Sequence, residues 1–190
     1  MMTDLSALPE NLLAPSDDNA ARHLKGINLP VLSLLGTDYV NINLAELKHR
    51  HVIYIYPMTG RPDTPLPDGW DQIPGARGCT PQSCAFRDHY AELQALNVNV
   101  FGLSSQTTEY QLEARNRLHL PFQLLSDHTF QLRDHLQLPT FSVLGKTLYK
   151  RLTMIIENGK IKKVFYPVFP PDRNADDVIA WLRAHPLAIE

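Results

Sequence analysis

The chain has only two cysteines, Cys79 and Cys84, and they stand five positions apart in Gly78-Cys79-Thr80-Pro81-Gln82-Ser83-Cys84-Ala85-Phe86-Arg87-Asp88. A thiol does chemistry as the thiolate, and the N-terminus of a helix favours an anion. The segment reads as the start of a helix, with Cys79 where that helix begins. Arg77 and Arg87 flank the position with fixed positive charge. The pair points to redox chemistry. Its spacing restricts which kind. Five residues of helix advance about 7.5 Å and turn about 140° past a full circle, which separates the two Cα atoms by roughly 8–9 Å. A disulfide needs them within about 7 Å. Either the thiols never bond, or the first turns of the helix unwind when they do. Helix ends are regions of low local stability, so that opening need not be costly. The spacing is not the Cys-x-x-Cys of dithiol oxidoreductases. A zinc site fits poorly, because His89 lies in the same helix and the other histidines are scattered. Two inert buried thiols are the plainest alternative.

The elements around the pair must present it. His51-Val52-Ile53-Tyr54-Ile55-Tyr56, ended by Pro57, reads as a buried central strand. From Met58 to Gly78 prolines and glycines forbid a regular element, and a loop of that length is usually functional. Thr80 to Leu96 has an apolar stripe at Phe86, Tyr90, Leu93 and Leu96 and reads as one amphipathic helix. Val98–Ser104 and Phe122–Leu125 read as strands. Thr107 or Thr108 caps a helix running to His119, and Ser126-Asp127 leads into another through Leu136. Upstream, Leu29–Leu47 reads as one or two strands about Gly36-Thr37-Asp38, then a helical turn near Leu44. Asn158-Gly159 marks a hairpin between Arg151–Ile156 and Ile161–Tyr166, and Ala175–His185 is a closing helix. Alternating strands and helices predict a mainly parallel sheet with helices on both faces, to which the late hairpin adds antiparallel strands. A thioredoxin-like α/β sandwich satisfies this order. In that fold the first long helix begins directly after a central strand.

With 190 residues the chain suits one core. We expect an N-terminal arm over residues 1–27 and a single domain over 28–190 with an inserted loop at 58–78. A net charge of −2 gives no bulk electrostatic case for nucleic acid or a membrane surface. No apolar run reaches membrane-spanning length. Met1–Asp18 is acidic and proline-punctuated, unlike a signal peptide, so an intracellular, cytoplasmic protein is expected. In such a compartment a purely structural Cys79–Cys84 bridge is disfavoured.

The motif around the cysteines resembles the active site of peroxiredoxins of the bacterioferritin-comigratory (Q) class, within the redoxin superfamily. Further segments fall in that family's order: Tyr54-Ile55-Tyr56-Pro57, Val100-Phe101-Gly102-Leu103-Ser104, Leu120-Pro121-Phe122-Gln123-Leu124-Leu125-Ser126-Asp127, and Arg151 through Ile161. The likeness covers about Asn28 to Arg183. It implies a thiol-dependent peroxidase in which Cys79 is the peroxidatic cysteine, attacking a hydroperoxide to become a sulfenic acid. It implies that Cys84 resolves this to an intramolecular disulfide, which a thioredoxin-like dithiol reduces. Arg151 would favour the thiolate and stabilise charge developing on the peroxide, and Pro57 would shield the thiol. Thr80 and Arg77 are further candidates for holding the substrate. No metal or organic cofactor is implied, and the chain would be a monomer or weak homodimer.

The chain departs from that pattern at two places. The family carries a threonine three residues before the peroxidatic cysteine, where this chain has Ala76. The family's proline stands seven residues before that cysteine, whereas Pro57 precedes Cys79 by 22, an excess of about fifteen. Thr59, Thr64 and Thr80 are the candidate replacements for the missing hydroxyl, whose loss matters because such a donor can be worth a few kcal/mol of barrier. Phe86-Arg87-Asp88 also favours Cys79 over Cys84 as the nucleophile. Among other residues, Trp181 reads as core and Trp70 as either a cover for the site or a partner surface. Arg87-Asp88 reads as positioning Arg151 or as an ion pair on the helix surface, the former favoured by the motif. Arg115 and Arg117 read as a solvated helix face, and His119, His128 and His135 carry no chemistry. Arg77 would tune Cys79 or point to solvent. The rival to the enzyme is a redox-responsive binding module with the same thiol pair and weak turnover; a thioredoxin-fold protein without thiol function is the third reading.

Overall fold

The computed structural model describes residues 4–187. In chain order the strands are β1 (Ser33–Gly36), β2 (Asn41–Asn43), β3 (Arg50–Ile55), β4 (Val98–Ser104), β5 (Gln123–Ser126), β6 (Thr140–Val143), β7 (Lys146–Tyr149), β8 (Leu152–Glu157) and β9 (Lys160–Phe165). The α-helices are α1 (Cys79–Asp88), α2 (Tyr90–Ala95), α3 (Thr108–Arg117), α4 (Gln131–Leu136) and α5 (Asn174–Ala184).

Strand β3 is buried along its whole length, as its β-branched and aromatic residues require. It pairs in parallel with β4, and β4 in parallel with β5. The outer strands run antiparallel: β1 on β5, β2 on β1, β8 on β3 and β9 on β8. The seven-stranded sheet therefore has the order β2-β1-β5-β4-β3-β8-β9, and β6–β7 forms a separate hairpin. The sheet is mixed, with a parallel centre rather than a parallel majority. At β3 the strand order changes direction, since β4 follows on one side and β8 on the other. Crevices at the carboxyl ends of strands next to such a switch are where open α/β sheets place their sites.

Side chains alternate along β3 between two cores. Ile53 and Ile55 meet Leu132 and Leu136 of α4, together with Ala21 and Leu24. Val52 and Tyr54 meet Phe86 of α1, Leu93 of α2 and Val178, Ile179 and Leu182 of α5. Helices thus cover both faces. Packed structure begins upstream of residue 28, because Ala21 and Leu24 are already buried.

Several elements differ from their sequence expectation. The helix expected over Thr80–Leu96 breaks at His89, where the ring bridges Glu92 of α2 and Asp176 of α5 at 3.1 and 3.2 Å. The helix expected after Asp127 starts only at Gln131, because Phe130 is left-handed at φ 58°. The Asp127 carboxylate accepts from the amides of Leu132 and Arg133 at 3.3 Å and so closes its first turn. The hairpin at Asn158-Gly159 has both residues at positive φ, 49° and 75°, as a tight hairpin turn demands. Among the described residues no helix is long and apolar enough to cross a membrane.

Candidate active site

The chain leaves the sheet at the end of β3, where the Tyr56 amide still donates to the Leu103 carbonyl at 3.0 Å. Pro57 follows, then the loop 58–78, which contains one 3₁₀ turn at Trp70–Gln72. The loop returns the chain to the same end of the sheet. Gly78 takes φ 106° and starts α1, so that Cys79 is the first residue of the helix. A side chain at Gly78 is doubly excluded. The backbone is in the left-handed region, and a Cβ there would stand 2.4 Å from Pro171 and 2.8 Å from Leu8.

Cys79 is 4% exposed. Its Sγ lies 3.8 Å from the carbonyl oxygen of Ala76 and accepts from Nη2 of Arg151 at 3.2 Å. Arg151 lies just before β8 and is itself buried. It is fixed by a collar of acceptors: Nη2 meets the carbonyls of Gly75, Ala76 and Arg77 at 3.3, 3.0 and 3.2 Å, and Nη1 donates to Oε1 of Gln82. Gln82 is held in turn, donating from Nε2 to Oδ1 of Asn174 at 3.0 Å, and that oxygen also accepts from Thr153 at 2.7 Å. Gln82, Asn174 and Thr153 are all buried. This buried network holds both Nη atoms of Arg151, leaves its Nε without a partner, and fixes the side chain in one position. The guanidinium and the helix N-terminus both direct positive potential toward the sulfur.

A small cavity, about 10 Å³, opens beside the sulfur. Its walls include Met58, Leu66 and Trp70 from the loop, Arg77, Gly78 and Thr80 around the cysteine, and Leu5 from the N-terminal arm. Thr80 carries the one hydroxyl on this wall. Thr59 is turned away into Gln106, with its amide and hydroxyl 3.0 and 3.2 Å from Oε1 of Gln106, and Thr64 is exposed beside Asp63. At the departed threonine position, Ala76 offers only its carbonyl.

Cys84 sits one turn further into α1, half-buried among the core residues of that face. Burial pushes its thiol up from the ordinary value; Arg87 and Arg117 oppose that rise and Asp88 adds to it. Helix α1 is intact between the cysteines, and both are free thiols.

The sequence-derived site residues therefore divide. Cys79, Arg151, Thr80 and Arg77 converge on the cavity, and Cys84 is on the same helix. Pro57 is buried at the end of β3 but does not line the cavity; Met58 does. Arg77 neither points to solvent nor bonds the sulfur: it holds Asp71 at 3.1 Å and the Asp4 carbonyl at 2.6 Å. Arg87 does not position Arg151. It donates to Asp88 and to the Leu118 carbonyl at 2.8 and 2.9 Å. Arg115 and Arg117 are not merely solvated, since Arg115 donates to the Phe122 carbonyl and Arg117 to Glu113 and the Gly60 carbonyl. Trp70 covers the site, packed near Phe141 with ring centroids 6.2 Å apart. Trp181 is only partly buried and stacks on His185 at 4.1 Å. Sequence reasoning missed Gln82 and Asn174, which hold Arg151. Gln82 had a signal, because residues one turn apart share a helix face and it stands three positions after Cys79. Asn174 had none.

A buried free thiol at the head of the first helix, on a sheet of this order, fits a thioredoxin-like thiol protein. The Redoxin family model matches residues 22–179, and the chain belongs to that family. Within it, the chain is a peroxiredoxin of the bacterioferritin-comigratory, or Q, class. Peroxiredoxin Bcp of Escherichia coli (strain K12) is 30% identical over 161 residues, 82% of this chain and 93% of that protein. The chloroplastic peroxiredoxin Q of Sedum lineare is 30% identical over 166 residues, 86% of this chain and 80% of that one. Among solved structures, peroxidoxin BcpB of Mycobacterium tuberculosis superposes with a TM-score of 0.69 at 25% identity, covering 86% of this chain and 99% of that one.

Proposed function

We propose that the chain is a peroxidase that reduces hydrogen peroxide or small organic hydroperoxides through Cys79. The observation that carries this reading is the 3.2 Å contact of Arg151 with a buried sulfur at a helix N-terminus. The thiolate of Cys79 attacks the distal oxygen of the hydroperoxide. The S–O bond forms as the O–O bond breaks, the sulfur is oxidised and the peroxide is reduced. The departing oxygen takes a proton and leaves as water or an alcohol. Arg151 neutralises charge on the reacting oxygens, and Thr80, the one hydroxyl on the cavity wall, supplies the donor that Ala76 cannot. Arg77 lines the same approach. Pro57 supports the wall indirectly, from beneath Met58.

The sulfenic acid at Cys79 then condenses with Cys84, forming the S–S bond and releasing water. The intact helix keeps the two apart, so the first turn of α1 must open first. A thioredoxin-like dithiol restores both thiols by exchange. Sulfur alone carries the electrons, so no metal or organic cofactor enters the cycle. Such a cycle needs a reducing compartment, which supports a cytoplasmic location for this chain. It needs no second subunit, consistent with a monomer or weak homodimer.

Steady-state turnover of hydrogen peroxide with a thioredoxin system tests the reading. Turnover that disappears in Cys79→Ser is expected. Stoichiometric oxidation of the wild-type chain without repeated turnover would instead indicate a redox-responsive binding module.

A further inference from the structure

The N-terminal arm lies outside the segment that the Redoxin family model matches, which begins at residue 22. It is nevertheless docked on the active site. The Asp4 carbonyl accepts from Arg77 at 2.6 Å. Three arm side chains sit over three glycines whose missing side chains make room for them. A Cβ on Gly60 would stand 3.0 Å from Leu5, one on Gly78 2.8 Å from Leu8, and one on Gly75 3.3 Å from Pro15. At the far end of the arm the Asp18 carboxylate holds Lys150 Nζ at 2.7 Å and the Tyr166 hydroxyl at 2.6 Å. The arm is therefore pinned on both sides of the cysteine. Between the pins, Leu5 forms part of the wall of the cavity at Cys79.

The size of that cavity decides the consequence. About 10 Å³ of space is near the minimum that admits one water-sized molecule. Hydrogen peroxide is only slightly larger than water, whereas a tertiary alkyl or aryl hydroperoxide brings several carbons to the same sulfur. We propose that Leu5 is a specificity-determining residue: docked against Gly60 and the mouth of the cavity, it admits hydrogen peroxide to Cys79 and excludes bulky hydroperoxides. The inference rests on the peroxidase reading and adds to it which hydroperoxides react. Shortening Leu5 enlarges the cavity without touching the sulfur, Arg151 or the network behind it.

The test compares full-length wild type with Leu5→Ala, following loss of the reduced Cys79 after mixing with hydrogen peroxide and, separately, with cumene hydroperoxide. The substitution is expected to raise the cumene hydroperoxide rate constant about tenfold or more while moving the hydrogen peroxide rate constant less than about twofold, the range over which pocket size discriminates. Leu5→Trp should deepen the discrimination against cumene hydroperoxide. Equal changes for both oxidants, or none for either, would overturn the size filter and leave the peroxidase reading intact. Reaction of neither oxidant faster than with free cysteine, in any variant, would remove both.

Discussion

Arg151 is a buried cation without a carboxylate among its hydrogen-bond partners in the described residues. Its neighbours are carbonyl oxygens, the amide of Gln82 and the sulfur of Cys79. A buried charge is tolerable only when it is paired or well solvated by the protein, and here the group able to complete the pair is the thiolate. Arg151→Met should therefore slow the first oxidation of Cys79 by about 10²-fold or more, read by stopped-flow loss of the thiol; an unchanged rate would remove Arg151 from the chemistry. Gln82→Leu tests the same arrangement one step back, since Arg151 then loses its lateral hold. A smaller slowing is expected, together with partial rescue by Gln82→Glu, which restores an acceptor on the Nη1 side. Cys84 makes a pH-dependent prediction. Burial raises its thiol, so the closed helix favours the neutral form. That advantage is full below the ordinary thiol range and is lost as pH rises through the raised value. Disulfide formation after a peroxide pulse should accelerate from about pH 7 to about pH 10, across and beyond the ordinary cysteine range. A flat profile would mean that ionisation of Cys84 is not linked to opening of the helix. Cys84→Ser should leave the first oxidation and block the intramolecular disulfide.

At the scale of elements, the site depends on how α1 is set against β3. Tyr54 of β3 stacks on Phe86 of α1 with centroids 4.6 Å apart, and its hydroxyl donates to Ser83 at 3.0 Å. Room for that ring exists because its parallel neighbour in β4 is Gly102, where a Cβ would lie 2.8 Å from the tyrosine ring and 2.5 Å from Leu124. Gly102→Ala should cost about 1–3 kcal/mol of stability by overpacking, measured by urea unfolding, and should slow peroxide reduction by shifting α1. A stable variant would show that the Tyr54 and Leu124 side chains yield at little cost. Much at this scale was legible in the sequence. The apolar run of β3, the cap at Thr107 and the Asn158-Gly159 turn each carry a local signal that tertiary structure does not overrule. The hairpin β6–β7 carries none. Its turn places Leu144 at φ 49° before Gly145, and a leucine there does not announce a left-handed turn. The break at His89 depends on Asp176, far along the chain, and no periodicity within α1 or α2 reveals it.

Across the whole molecule, the cysteine motif marked the candidate nucleophile and the ordered segments identified the fold, but the closure of the site comes from parts remote in sequence. Leu5, Trp70 and Arg77 meet only because the inserted loop and the arm fold back over the head of α1. Ala14, Pro15, Ser16 and Asp18 continue along the arm as part of the wall of a cavity of about 440 Å³ that Arg151 also lines. Such long-range convergence has no composition or spacing signature. In the proposed cycle the cover is coupled to the redox state of the cysteines, because Leu8 rests on Gly78, next to the residue that must move for Cys79 to reach Cys84. Amide hydrogen exchange should report that coupling: in the disulfide form, exchange should quicken in the first turn of α1 and in residues 5–8, while β3, β4 and β8 stay protected. Equal protection in both redox states would mean that the disulfide forms without opening the helix.

The most direct test of the account is the second-order rate constant for oxidation of reduced Cys79 by hydrogen peroxide at neutral pH, measured in the Cys84→Ser chain so that a single thiol reports. The arrangement of Arg151 about the sulfur predicts a value at least about 10²-fold above that of free cysteine under the same conditions. A rate constant equal to that of free cysteine would contradict it.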